Sequence, residues 1–155
     1  MNSVLRLNAL LARLLTPLAA PLALVARWYV GWQFFKSGLL KVGSWDTTLM
    51  LFESEYHVPV LPPHLAAYAG AFGELFFPVV LFLGLFGRIG ALGLFAVNAM
   101  AVLSYSHVLF QEGMEAAIGQ HILWGSLLVY LAVHGPGAIS ADRWLSRRAT
   151  TTAAY

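Results

Sequence analysis

Charged side chains inside long apolar stretches are the first candidates for chemistry in this chain. Arg27, Lys36 and Glu74 interrupt two such stretches. At the centre of a bilayer a charge costs about 2.5–3.5 kcal/mol on insertion scales, so it is seldom placed there without a partner or a function. A carboxylate beside a cation could handle protons or contact a polar substrate. A salt bridge that only joins two helices is an equally good interpretation.

The spacing of the two cations limits which of them can meet Glu74. Arg27 and Lys36 are nine residues apart, so they point to opposite faces of a helix. If the first stretch runs outward and the second returns, depth brings Glu74 nearer to Lys36. We therefore predict a Glu74–Lys36 pair, with Arg27 as the partner if the first helix begins later. Arg27 and Lys41 share a face with Gly31 and are expected to extend toward the head groups at the two surfaces.

Three further polar side chains lie in or next to apolar stretches. Gln33 and Asn98 are expected to form interhelical hydrogen bonds. The same amides could contact the carbonyl oxygens of a quinone, and Lys41 is a third candidate for such a contact. Aromatic residues surround Gln33 in the sequence and could line a quinone cleft, although an aromatic stripe more often packs in a core or faces lipid.

Histidines and acids near the third and fourth stretches suggest a metal site as a further hypothesis. Imidazole and carboxylate together can ligate zinc, copper or iron. Two histidines at the ends of one hairpin could also clasp a haem. The spacing matches no compact ligand motif, so we expect no metal. The candidates, should one bind, are His107, His121, Glu112 and Glu115.

The elements that must position these residues are four apolar stretches at 18–40, 65–85, 89–108 and 118–133, each about the length of a membrane-spanning helix. Only 10% of the residues are charged and mean hydropathy is +0.73, whereas soluble domains carry about 25% charged residues. We predict an all-α integral membrane antiparallel four-helix bundle in a single domain, 1–148, with a disordered tail over 149–155. An amphipathic segment, 4–15, predicts an N-terminal interfacial helix, with a cleaved signal peptide as the alternative.

Charge placement predicts an orientation and excludes some functions. Acidic residues concentrate in the two connections on one side, and the basic residues on the other side predict cytoplasmic termini by the positive-inside rule. The sequence has no cysteine, so the chain itself cannot perform thiol–disulfide chemistry or hold an iron–sulfur cluster. No basic patch suited to nucleic acid is present. The basic residues that set the orientation are Arg6, Arg13, Arg88, Arg143, Arg147 and Arg148.

Three pieces of sequence occur in an order that resembles the DoxX family. They are an Arg27…Gly31…Gly38…Lys41 face, Glu74 in the second stretch, and the 135–142 segment GPGAISAD. The resemblance covers roughly residues 27–145, and these are the positions that it carries over.

The resemblance implies a bacterial inner-membrane protein that is an accessory or quinone-interacting subunit of an oxidoreductase system. A partner protein would then hold the electron-transferring cofactor, and the chain itself would bind a quinone at most. A small permease-like or metal-handling protein and a structural membrane partner are the alternatives. Self-association within the lipid is left open.

Overall fold

The computed structural model describes residues 2–152, with side chains from residue 3 to residue 147. This part of the chain is 83% helical and contains no strand. A 3₁₀ turn, Thr16–Leu18, separates the first two helices. The helices are α1 (Asn2–Leu15), α2 (Ala19–Gly43), α3 (Trp45–Ser54), α4 (Pro63–Leu83), α5 (Gly87–Ser104), α6 (Ser106–Leu109), α7 (Glu115–His134) and α8 (Ala141–Thr152).

Four helical segments among the described residues are long and apolar enough to cross a membrane. They are the segment Ser3–Gly43, which ends in α2, and the helices α4, α5 and α7. The predicted all-α membrane bundle is therefore confirmed. Helix α1 matches the predicted amphipathic segment, and its place at the membrane surface stays a prediction.

The bundle has two ends that differ in how its helices are connected. At the terminal end, α2 begins, α4 and α5 are joined by a tight turn, and α7 ends. At the loop end lie the longer connections 44–62 and 105–114, which contain α3 and α6. These names for the two ends are used throughout.

Small residues bring the long helices into close contact. A Cβ at Gly38 would lie 2.8 Å from the Leu75 side chain and 3.1 Å from the Glu74 backbone, so α2 and α4 pack backbone to backbone. A Cβ at Gly73 would lie 2.7 Å from Val97 on α5. In lipid such close packing drives helix association. The buried core between the helices includes Val30, Phe34, Leu81, Leu94, Leu128 and Leu131.

Three details differ from the predicted elements. Helix α3 is not among the predicted elements; it lies in the connection between the first two spans and ends before Pro59, so no proline interrupts it. The third span ends at Ser104 rather than at residue 108, and α6 follows it separately. Disorder was predicted from residue 149, but α8 continues to Thr152. No proline or glycine occurs in this helix to end it earlier. The remainder of that tail, 153–155, lies outside the described residues.

Candidate functional site

An ion pair joins α2 to α4 at the level of the loop-end half of the bundle. Lys41 Nζ lies 2.7 Å and 2.9 Å from the two carboxylate oxygens of Glu74, and it donates to Ser37 Oγ at 2.9 Å. Side chains on an α-helix incline toward its N-terminus. The Lys41 side chain therefore extends back along α2 by about one turn, toward Ser37. At this level Gly38 allows the closest approach of the α4 backbone.

This pairing corrects two expectations. The predicted Glu74–Lys36 pair is wrong, because Lys36 is exposed on another face of α2, about 140° around the helix from Lys41. Lys41 also turns inward to Glu74 instead of extending to the head groups. Packing through Gly38 decides which face of α2 meets α4, and this outweighs the depth argument that favoured Lys36.

A second polar cluster lies across the bundle on α5 and α7. Asn98 Nδ2 donates to the His121 backbone oxygen at 3.0 Å, and Asn98 Oδ1 lies 2.8 Å from His121 Nδ1. Since that amide oxygen can only accept, Nδ1 carries the proton. In the neutral form of the imidazole, Nε2 is then the acceptor nitrogen.

Trp124 lies one turn along α7 from His121. The two rings pack edge to face with centroids 5.0 Å apart, and the Phe34 ring of α2 also packs edge to face against Trp124, with centroids 5.5 Å apart. The indole Nε1 of Trp124 is buried and has no hydrogen-bond acceptor among the described residues. A buried donor without an acceptor costs about 1–3 kcal/mol, so this N–H requires an explanation.

A cavity of about 570 Å³ separates these two polar clusters. Most of its wall is apolar, with Phe34, Phe77 and Val97 among the lining residues. Of the three predicted quinone contacts, Gln33 and Lys41 line the cavity, whereas buried Asn98 supports His121. The polar side chains of the wall include Gln33, Ser37, Lys41, Glu74, His121 and Trp124.

The cavity reaches the surface between α4 and α5. Ala69 on α4 and Ala96 and Met100 on α5 line it and are also exposed. In a membrane this side of the bundle faces the acyl chains, so the cavity opens toward the lipid.

Aromatic side chains close the loop end of the cavity. Tyr56 packs edge to face against Phe52 and Tyr105, with ring centroids 4.9 Å and 5.3 Å away. Burial, and then the nearby Tyr105 and Glu74, raise the pKa of the Tyr56 hydroxyl above its ordinary value. Tyr56 is therefore a neutral hydrogen-bond donor throughout the physiological pH range.

The four candidate metal ligands do not come together. His107 packs on His57, with ring centroids 4.5 Å apart, while His121 bonds to Asn98. Glu115 accepts from the Gly113 backbone N–H. Glu112 is exposed. Within the described residues, no group of three or more histidine or acidic side chains could hold a metal ion.

Arg27 occupies a different environment, at the terminal end. It is only 1% exposed, and its Nη2 donates to the Ile139 backbone oxygen. Gly84 adopts a φ of +62° and lies so close that a Cβ there would overlap Arg27 Nη1. The expectation that Arg27 extends to the head groups is therefore wrong, and Arg27 is not the partner of Glu74.

The C-terminal segment completes this packed region. The Asp142 carboxylate accepts the backbone N–H groups of Phe86 at 2.8 Å and Gly87 at 3.0 Å, and so caps α5. Its charge also lies near Arg27. We call Arg27, Gly84, Ile139 and Asp142 the terminal clasp.

The fold and these sites define a small four-helix membrane protein with an internal ion pair beside a cavity. The family model of DoxX matches residues 22–107. This is more than half of the chain, which therefore belongs to the DoxX family. The matched range includes Arg27, Lys41, Glu74 and Asn98 but ends before His121 and Trp124. No curated protein and no solved structure matches the chain.

Several cavity residues were missed by reasoning from the sequence. Trp124 gave one usable signal, because tryptophan is enriched at membrane interfaces and this one lies near the middle of α7. Ser37, Tyr56 and Tyr105 gave none, since only the packing of distant segments brings them to the cavity.

Proposed function

We propose that this chain is a quinone-interacting membrane subunit of an oxidoreductase system in the bacterial inner membrane, with both termini in the cytoplasm. The observation that carries the proposal is a largely apolar cavity lined by Trp124, whose buried indole N–H has no acceptor in the described chain. A ligand with an acceptor oxygen would satisfy it.

The residues around the cavity fit a quinone. A quinone head group is a flat ring with carbonyl oxygens at opposite edges, and the cavity combines aromatic walls with polar groups from different helices. These polar groups are the Lys41–Glu74 pair, which joins α2 to α4, and Trp124 on α7. The volume of about 570 Å³ lies within the usual range of small-molecule sites. The opening between α4 and α5 gives an isoprenoid tail a route into the lipid.

The cavity wall also includes groups that can bind protons. Reduction of a quinone to a quinol takes up two electrons and two protons. Glu74 and Nε2 of His121 are acceptor groups at the cavity that can hold a proton next to a bound carbonyl oxygen. The chain contains no cysteine, and we assign the electron-transferring group to a partner protein. This chain is thus an accessory subunit that holds the quinone.

The experiment is to extract quinone from protein purified in polymer-bounded native lipid discs. We expect quinone at a level near one per chain, well above its share of the surrounding lipid. Trp124→Phe should copurify with measurably less quinone, while Trp28→Phe, which changes an exposed tryptophan outside the cavity, should retain the wild-type level. Quinone at the bulk lipid level in all three proteins would overturn the proposal.

Outcomes that favour the alternatives are also distinct. A permease predicts no quinone enrichment but a solute flux that Glu74→Gln abolishes at unchanged protein level. A structural partner predicts that Glu74→Gln lowers protein abundance and changes neither quinone content nor flux.

A further inference from the structure

Lys36 is a cation on the outer face of the bundle. Its side chain is exposed, and no carboxylate of the described residues lies within ion-pair distance of it. It is seven residues before the end of α2 at Gly43, which is about 10 Å along the helix axis. Cations at membrane depth almost always face a bundle interior or a water-filled cavity and have a partner. Lys36 has neither within this chain.

The residues around Lys36 form a regular seam on α2. Exposed positions follow one another at alternating spacings of three and four residues, so they lie along one face of the helix, where a second helix could pack. A Cβ at Gly43 would meet nothing within 4 Å, so this end of the seam is open to close approach. We call these residues the α2 seam: Leu22, Val25, Tyr29, Trp32, Lys36, Leu39 and Gly43.

A second copy of this chain is a poor occupant of the seam. Parallel packing about a twofold axis would place Lys36 against Lys36. The acids in the described helices lie elsewhere. Glu74 is buried and paired with Lys41, and Asp142 accepts the backbone N–H groups at the start of α5, at the terminal end. Asp46 and Glu53 on α3 and Glu115 at the start of α7 lie at the loop end. None offers a free carboxylate at the depth of Lys36.

We propose that the α2 seam docks a transmembrane helix of a different membrane protein, and that this helix carries an aspartate or glutamate at the depth of Lys36. A single charged position inside an apolar seam selects the partner and its register, at a cost in stability when the partner is wrong. The partner's carboxylate supplies the neutralising charge that this chain lacks.

The test is site-specific photocrosslinking in native membranes. A benzoylphenylalanine is placed at Leu39 in the seam or, as a control, at Leu92 on the exposed face of α5. We expect the Leu39 probe alone to give one defined heterologous crosslink, whose peptide maps to a membrane span containing Asp or Glu. Lys36→Leu should reduce the yield at least tenfold, and Lys36→Arg should retain it.

Charge exchange completes the test. Replacing the partner's acid by Lys should abolish the crosslink, and combining that change with Lys36→Glu should restore it. A crosslink to a second copy, a crosslink to lipid alone, or a yield unchanged by Lys36→Leu would overturn the proposal. The inference does not rest on the cavity's ligand: Lys36→Leu should leave the quinone content at the wild-type level, so the two proposals fail separately.

Discussion

Helix α2 holds two inward-facing cations, and their surroundings differ. At the terminal end, Arg27 is enclosed so tightly that Gly84 has no room for a Cβ. At the loop-end half, Lys41 is paired with Glu74 and borders a cavity of about 570 Å³. A charge at membrane depth therefore does not by itself indicate a ligand site; open volume beside the charge does. We assign structure to the terminal clasp and binding to the cavity.

The comparison predicts its largest effect at the clasp. Arg27→Ala should lower the free energy of unfolding by about 3–5 kcal/mol, because it leaves a void, an unpaired Ile139 carbonyl and a nearby Asp142 charge without its cation. Thermal unfolding in detergent measures this, with exposed Arg13→Ala as the control. An Arg27→Ala protein that unfolds at the wild-type temperature would contradict the structural role.

A substitution at the cavity should reduce quinone binding more than it reduces stability. Glu74→Gln should weaken quinone binding at least tenfold, about 1.4 kcal/mol, because Lys41 loses its compensating charge and the site loses a proton acceptor. The unfolding temperature should fall less than in Arg27→Ala. Quinone titration with Glu53→Gln on the exposed surface as control checks this. Full affinity with a large loss of stability would make Glu74 a structural residue.

A smaller effect is expected at the edge of the clasp. Asp142→Ala removes the acceptor for the Phe86 and Gly87 N–H groups, and losing a helix cap costs about 1 kcal/mol. The change should appear in unfolding experiments and leave quinone affinity unaltered. Asp46→Ala, an exposed acid in α3, serves as the comparison. Loss of quinone binding in a folded Asp142→Ala protein would mean that the two regions are coupled.

The smallest predicted effect is on quinone affinity, and it follows from a change at Trp124 alone. Trp124→Phe keeps an aromatic ring but removes the N–H and reduces the size of the side chain, so quinone affinity should fall about fivefold. The stability of the quinone-free protein should change little, because losing a buried donor without an acceptor offsets part of the lost packing. A Trp124→Phe protein that binds quinone as tightly as the wild type would show that the indole N–H does not contact the quinone.

The sequence predicted the helices well because hydrophobic length alone defines a span. It also placed Arg27 on one face of the first span with Gly31 and Gly38, and Arg27 is buried. The prediction failed at the partner of Glu74, because depth along the span was weighed and the inclination of Lys41 along its helix was not.

The cavity itself could not be predicted. Its lining joins α2, α4, α5 and α7 to the loop-end connections, and this depends on packing over long sequence separations. The histidines show the same limit. His121 and His107 seemed equivalent in the sequence, yet only His121 faces the cavity.

Photoaffinity mapping with an azido-quinone tests the central claim most directly. The account predicts that the label attaches to peptides of α4, α5 and α7 that line the cavity, near Phe77, Val97 and Trp124, and that unlabelled quinone competes for it. Label confined to lipid-facing positions such as Leu92, or label that excess quinone does not displace, would contradict it.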